Sequence, residues 1–187
     1  MLKIKFYFFL LLTSASYSQD GWTNFADENE INIKITENTK KFKVNYLEFV
    51  SVWDSKMTPN EKYEYLGGIK NLKIYFKNKQ IDEHVNLPDN IGLGYVLMRF
   101  YDYNFDGFLD FTVQVDCGGS CYSSYYLYDE KLKKFVYQKE WNISIQKINK
   151  KEKLILTQPE GMVDDRSLFR VNDDKLIKIK RINLKSK

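Results

Sequence analysis

The chain predicts a mostly β, single-domain, antiparallel sheet protein, β-propeller-like or lysozyme-inhibitor-like, with at most one short helix. Three observations predict it. Apolar and aromatic residues fall in many short runs rather than long helical stripes, turn residues punctuate those runs at regular spacing, and 14 tyrosines and 13 phenylalanines accompany only nine glycines and three prolines. Aromatic and β-branched side chains fit a pleated surface, and many short strands at even spacing read as stacked or closed antiparallel sheets.

In order, the strand candidates are Ile31–Thr36, Lys41–Phe49, Leu72–Phe76, Leu93–Tyr101, Phe111–Val115, Tyr122–Tyr128, Lys134–Tyr137, Ile143–Ile148, Lys153–Thr157, Ser167–Val171 and Leu176–Ile182. Turn signals separate them at Lys77-Asn78-Lys79, Asp129-Glu130-Lys131, Asn149-Lys150-Lys151 and Asn172-Asp173-Asp174. Thr58-Pro59-Asn60-Glu61 has the cap, first-turn proline and capping-box glutamate of one short helix, which Gly67-Gly68 would end. No repeat is visible in the sequence, so regular propeller blades find no support in self-similarity. In the last candidate, Leu176, Ile177 and Ile179 mix with Lys178, Lys180 and Arg181, the pattern of a solvated strand rather than a block of charge.

Met1–Ser18 carries Lys3 and Lys5, then the apolar run Phe6–Leu12, then small polar residues. That order is expected of a secretory signal peptide, and the apolar run is too short to span a bilayer. The expected organisation is therefore a signal peptide at 1–18, a mature start near Gln19, and one domain over 19–187 without a transmembrane segment. Removing Lys3 and Lys5 lowers the basic count from 29 to 27 against 25 acids, a net charge of +2. So weak a charge says almost nothing about partners; a nucleic-acid partner would need a basic face with stacking aromatics in a cytoplasmic protein, and expected export argues against it.

Asp102-Tyr-Asn104-Phe-Asp106-Gly107-Phe-Leu-Asp110 is the stretch richest in chemistry. Calcium takes six to eight oxygens at about 2.3–2.6 Å, and alternating Asp/Asn in a tight turn can bring loop positions one, three and five to one point. Asp102, Asn104 and Asp106 hold those positions, Gly107 the sharp turn at six, the Phe108 carbonyl seven and Asp110 nine. The helical form of such a loop also needs a glutamate at position twelve, where this chain has Val113. Flanked by Gly94–Tyr101 and Phe111–Val115, the loop reads instead as strand-loop-strand, with Asp116 and Asp129 as candidates for the missing ligand. The alternative is an Asx-rich turn held by side-chain to backbone hydrogen bonds without metal.

Cys117-Gly-Gly-Ser-Cys121 follows directly. In an exported protein two close cysteines read as a disulfide, here clamping a hairpin tip; a CxxxC metal site is disfavoured because the one histidine, His84, reads as a solvated loop residue far away in sequence. That single histidine gives no nucleophilic triad. Glu160, Asp164 and Asp165 could in principle act as paired carboxylates, but read better as a polar loop after Pro159, and no phosphate-binding glycine loop is present. The expectation is a binding protein and not an enzyme.

The stretch Asp102–Phe111, with Cys117-Gly-Gly-Ser-Cys-Tyr-Ser-Ser-Tyr-Tyr-Leu-Tyr-Asp129 and Lys134-Phe-Val-Tyr137, resembles exported, calcium-binding, β-propeller-like proteins of Gram-negative bacteria. A periplasmic immunity protein against a peptidoglycan-cleaving type IV secretion effector typifies them. The resemblance spans Asp102 to about Glu140. Their fold is similar to that of periplasmic lysozyme inhibitors, which insert a Ser-Gly-x-x-Tyr loop into the enzyme cleft. Anchored on Leu127-Tyr128-Asp129, that loop falls on Gly118, Gly119, Ser120, Cys121 and Tyr122, with Gly119 and Tyr122 matching. Gly118 stands at the serine position, and Ser120 is the neighbouring hydroxyl. The resemblance implies a periplasmic calcium-binding inhibitor or immunity protein whose partner is a peptidoglycan glycoside hydrolase. The competing expectation is a calcium-stabilised envelope interaction domain that binds another protein or a polysaccharide.

Overall fold

A computed structural model describes residues 21–27, 29–34, 38–54, 68–87, 95–117, 121–159 and 165–183. Among them every regular element is a strand, and every strand pairing is antiparallel. The signal-peptide region and the Thr58–Glu61 helix candidate lie outside the described residues.

The strands are β1 (Thr23–Asn24), β2 (Asn29–Lys34), β3 (Thr39–Val44), β4 (Leu47–Asp54), β5 (Gly68–Phe76), β6 (Lys79–Val85), β7 (Tyr95–Tyr101), β8 (Asp110–Cys117), β9 (Cys121–Asp129), β10 (Lys134–Gln138), β11 (Ile145–Asn149), β12 (Leu154–Thr157), β13 (Asp165–Asn172) and β14 (Lys175–Asn183). They form three sheets: β3-β4-β5-β6, a central sheet β10-β9-β8-β7-β2, and β1-β11-β12-β13-β14. Each is a hairpin meander, with β2 added beside β7 and β1 beside β11, so the N-terminal strands knit the central and last sheets.

Because side chains alternate across a strand, the central sheet has two inward faces. One face presents Ile33, Met98, Phe100, Phe111, Val113, Tyr126 and Phe135 to Phe49, Leu72 and Ile74 of the four-stranded sheet. The other presents Tyr101, Tyr125 and Leu127 to Ile145, Ile148, Ile155 and Val171 of the last sheet. Three sheets are thereby stacked with two apolar layers between them. Phe111 is the hub of the first layer, stacked on Tyr126 at 4.7 Å and packed against Phe135 at 5.1 Å.

Three elements depart from the sequence reading. Lys41–Phe49 is not one strand but a hairpin, because Asn45 takes φ 53° and turns the chain between Val44 and Leu47. Asparagine tolerates the left-handed region well enough to turn without a following glycine. A strand absent from the sequence reading, β6, follows Lys77 and Asn78, both at positive φ as a type I′ hairpin turn demands. Lys79-Gln-Ile-Asp-Glu-His-Val85 is polar because it is an edge strand with little apolar alternation to betray it. His84 is consequently no solvated loop residue. Its Nε2 lies 3.1 Å from Asp82 Oδ2, and its ring meets Tyr126 edge-on at 5.0 Å. The third departure is the short β1, too brief to carry any period.

Candidate functional site

The loop Asp102–Leu109 joins β7 to β8, with Tyr101 and Asp110 paired across its base. Its conformation follows from its residues. Asp102 Oδ1 accepts the Asp106 amide at 2.9 Å and Oδ2 the Gly107 amide at 3.0 Å. Asp106 Oδ1 accepts the Phe108 amide at 2.8 Å, while Asn104 Nδ2 donates to Asp106 Oδ2 at 2.8 Å. Gly107 has φ +91°, a region that side-chain-bearing residues rarely enter, and no heavy atom stands within 4 Å of where a Cβ would be. The glycine therefore serves backbone shape, not close packing. Phe105 also takes positive φ, 59°, and its ring packs on the second apolar layer.

Asp110 does a different job from the other acids. It is wholly buried, and its two oxygens accept the Tyr103 amide at 2.9 Å and the Tyr128 amide at 2.8 Å. One carboxylate thus ties the loop to strand β9. Burial pushes its carboxyl well above the ordinary carboxylate range, the two amides pull it back, and the charges of Asp106 and Asp102 push it further up. Asp102 is also raised, first by burial, against the opposing pull of the Gly107 and Asp106 amides.

As a cation site the loop offers oxygens of the hard type calcium takes. Asp102 and Asp106 each keep lone pairs beyond the amides they accept, so the network does not exhaust them. Among the described residues, however, no three carboxylate, imidazole or thiolate groups are gathered into a metal cluster. The arrangement is that of a backbone-bonded Asx turn whose donors line one short loop. Asp129 caps the next turn, accepting the Lys131 and Leu132 amides at 2.8 and 2.9 Å. The Asp116 side chain lies outside the described residues.

From the loop, β8 and β9 run to the cysteines. Cys117 and Cys121 are register partners across the two strands. Residues directly opposed in an antiparallel pair sit about 4.5–5.5 Å apart at Cα, inside the span a disulfide needs. Gly118, Gly119 and Ser120 lie outside the described residues. Tyr122, just past the tip, is 45% exposed and borders a cavity of about 320 Å³ with Tyr137, Lys139 and Asn142.

Asp165, one of the three acids considered for hydrolysis, is held by Arg181 on β14, and Glu160 and Asp164 lie outside the described residues. The sequence reading missed a polar row across the central sheet, Glu30, Arg99 and Thr112, since strand register sets its members side by side and Glu30 comes from a strand remote in sequence. Comparison with family models, with curated proteins and with solved structures finds no match.

Proposed function

We propose that this protein is an exported, non-enzymatic calcium-binding protein that inhibits a peptidoglycan glycoside hydrolase, as an immunity protein or lysozyme inhibitor does. Calcium is taken by Asp102, Asn104, Asp106, the Phe108 carbonyl and Asp110, which also braces the site from below. The tip Gly118–Tyr122, closed by a Cys117–Cys121 disulfide, enters the enzyme cleft. The observation that carries this reading is the double hydrogen bond of Asp110, which couples the loop to the hairpin bearing the tip. A cation that orders the loop would then stiffen the tip's base, and a stiff tip loses less conformational freedom on binding. Small residues suit a cleft shaped for glycan, and Tyr122 offers an aromatic face where a sugar ring would lie.

A second reading, an envelope interaction domain, is favoured by another feature. A groove of about 760 Å³ beside the loop is lined by Tyr46, Phe76, Phe108 and Leu132, with Tyr46 and Leu132 more than half exposed. Inhibition assays against muramidases and glucosaminidases decide between the two. Wild-type protein at micromolar concentration should slow one such enzyme, and Tyr122→Ala should lose inhibition while retaining calcium. If no such enzyme is slowed, the interaction-domain reading replaces the inhibitor.

A further inference from the structure

A second site lies on the opposite side of the central sheet from the first apolar layer, in a cavity of about 390 Å³ between that sheet and the last one. Its floor is a row in strand register: Glu30 on β2 opposes Arg99 on β7, Arg99 opposes Thr112 on β8, and Thr112 opposes Tyr125 on β9. All four residues line the cavity. Buried sheet faces are ordinarily apolar, and the other face of these same strands is. Here the row is polar instead, and it is completed from outside the sheet by Asp27.

The polar groups are arranged as alternating donors and acceptors. Arg99 Nε donates to Glu30 Oε2 at 3.1 Å and lies 3.5 Å from Asp27 Oδ2. The Tyr103 hydroxyl donates to Asp27 Oδ1 at 2.6 Å and stands 3.4 Å from Thr112 Oγ1. Burial, ahead of the opposing pull of Tyr103 and Arg99, raises the Asp27 carboxyl above its ordinary value. Phe25 and Tyr125 supply flat apolar wall, and Gln158 adds an amide at the rim.

We propose that this cavity binds a neutral sugar ring or a closely similar polyol. Both carboxylates are turned to one guanidinium, which leaves an excess of one negative charge, so a ligand carboxylate or phosphate would be repelled by Asp27 and Glu30. A hydroxyl donates and accepts at once, which suits a wall where carboxylate oxygens and guanidinium or hydroxyl donors alternate. The C–H faces of a ring suit Phe25 and Tyr125. The volume lies at the low end of small-molecule sites, enough for a short ligand rather than a long chain. The site shares Tyr103 with the calcium loop but takes none of that loop's proposed ligands and none of the tip residues Gly118–Tyr122, so sugar binding is read separately from calcium binding and from inhibition.

Titration of the full chain, followed by calorimetry and ligand-observed NMR, tests it with glucose, galactose, N-acetylglucosamine and, as a zwitterionic control, glycine. At least one sugar should bind saturably with a dissociation constant on the order of 1 mM or tighter. Arg99→Gln and Glu30→Gln should each weaken it by roughly tenfold, the loss of one charge-assisted hydrogen bond. Should Arg99→Gln fail to fold, Glu30→Gln still tests the site, because the Glu30 side chain is half exposed. Tyr122→Ala should leave sugar affinity unchanged. Absence of saturable sugar binding, stronger binding of glycine, or loss of binding only in Tyr122→Ala would each overturn the assignment.

Discussion

Asp106 and Asp82 show how much a single carboxylate can decide. In the loop, Asp106 holds the Phe108 amide and receives the Asn104 amide, and under the calcium reading it is also a ligand. Asp106→Ala should therefore abolish any difference between melting curves taken with calcium and with chelator. A calcium shift of wild-type size in that variant would remove Asp106 from the ligand set. Asp82 acts elsewhere, joining edge strand β6 to the central sheet through the Phe135 amide at 2.6 Å. Burial pushes its carboxyl up, but the bonds from His84 and Phe135 outweigh it and hold it below the ordinary value. A carboxyl lowered in the folded state adds stability above the unfolded pKa of about 3.9 and loses it as pH falls through the folded value. Asp82→Asn should cost about 2 kcal/mol at neutral pH, and the gap to wild type should close in acid. A gap that stays constant from neutral pH into strong acid would show that the charge is not what matters.

At the scale of the element, the β7–loop–β8–β9 unit carries most of the chemistry. Gly107 needs its positive φ, so Gly107→Ala should destabilise by about 1–2 kcal/mol through backbone strain alone, since space for a methyl is open. Thermal melts with chelator present would measure that cost apart from metal. The paired register of Cys117 and Cys121 sets a second expectation: unreduced protein should weigh two hydrogens less than reduced. Two free thiols in natively purified material would remove the clamp from the tip.

For the whole molecule, stability rests on a central sheet buried on both faces. Phe111 is wholly buried and meets both neighbouring strands through Tyr126 and Phe100, β10 through Phe135 and the facing sheet through Phe49. Phe111→Ala should cost about 3–5 kcal/mol by denaturant unfolding, from lost burial and the cavity left behind. A cost near 1 kcal/mol would mean that the first layer collapses around the gap. Metal acts at this scale as well. Calcium bound only by the folded protein would add about 2.7 kcal/mol at a hundredfold excess over its dissociation constant. Chelation should therefore lower the melting temperature of the whole chain, and an unchanged melt with metal-free protein would leave the loop as an Asx turn.

Fold class and the backbone course of the loop were legible in the order of residues alone. Aromatic and β-branched runs set the strands, Asn-Lys and Asp-rich pairs set the turns between them, and the alternation of Asp102, Asn104 and Asp106 before Gly107 dictated the backbone between β7 and β8. These are local effects, settled within a few residues. Features that depend on distant partners came from the packing of the sheets. Edge strand β6 has too little apolar period to be read alone and exists because β5 offers it a ladder. Asp110 reads in sequence as a ligand, and only the fold shows that it is also a brace, buried and bonded to Tyr128, eighteen residues on. The row of Glu30, Arg99 and Thr112 has no sequence signature, because strand register alone sets three residues from three strands side by side.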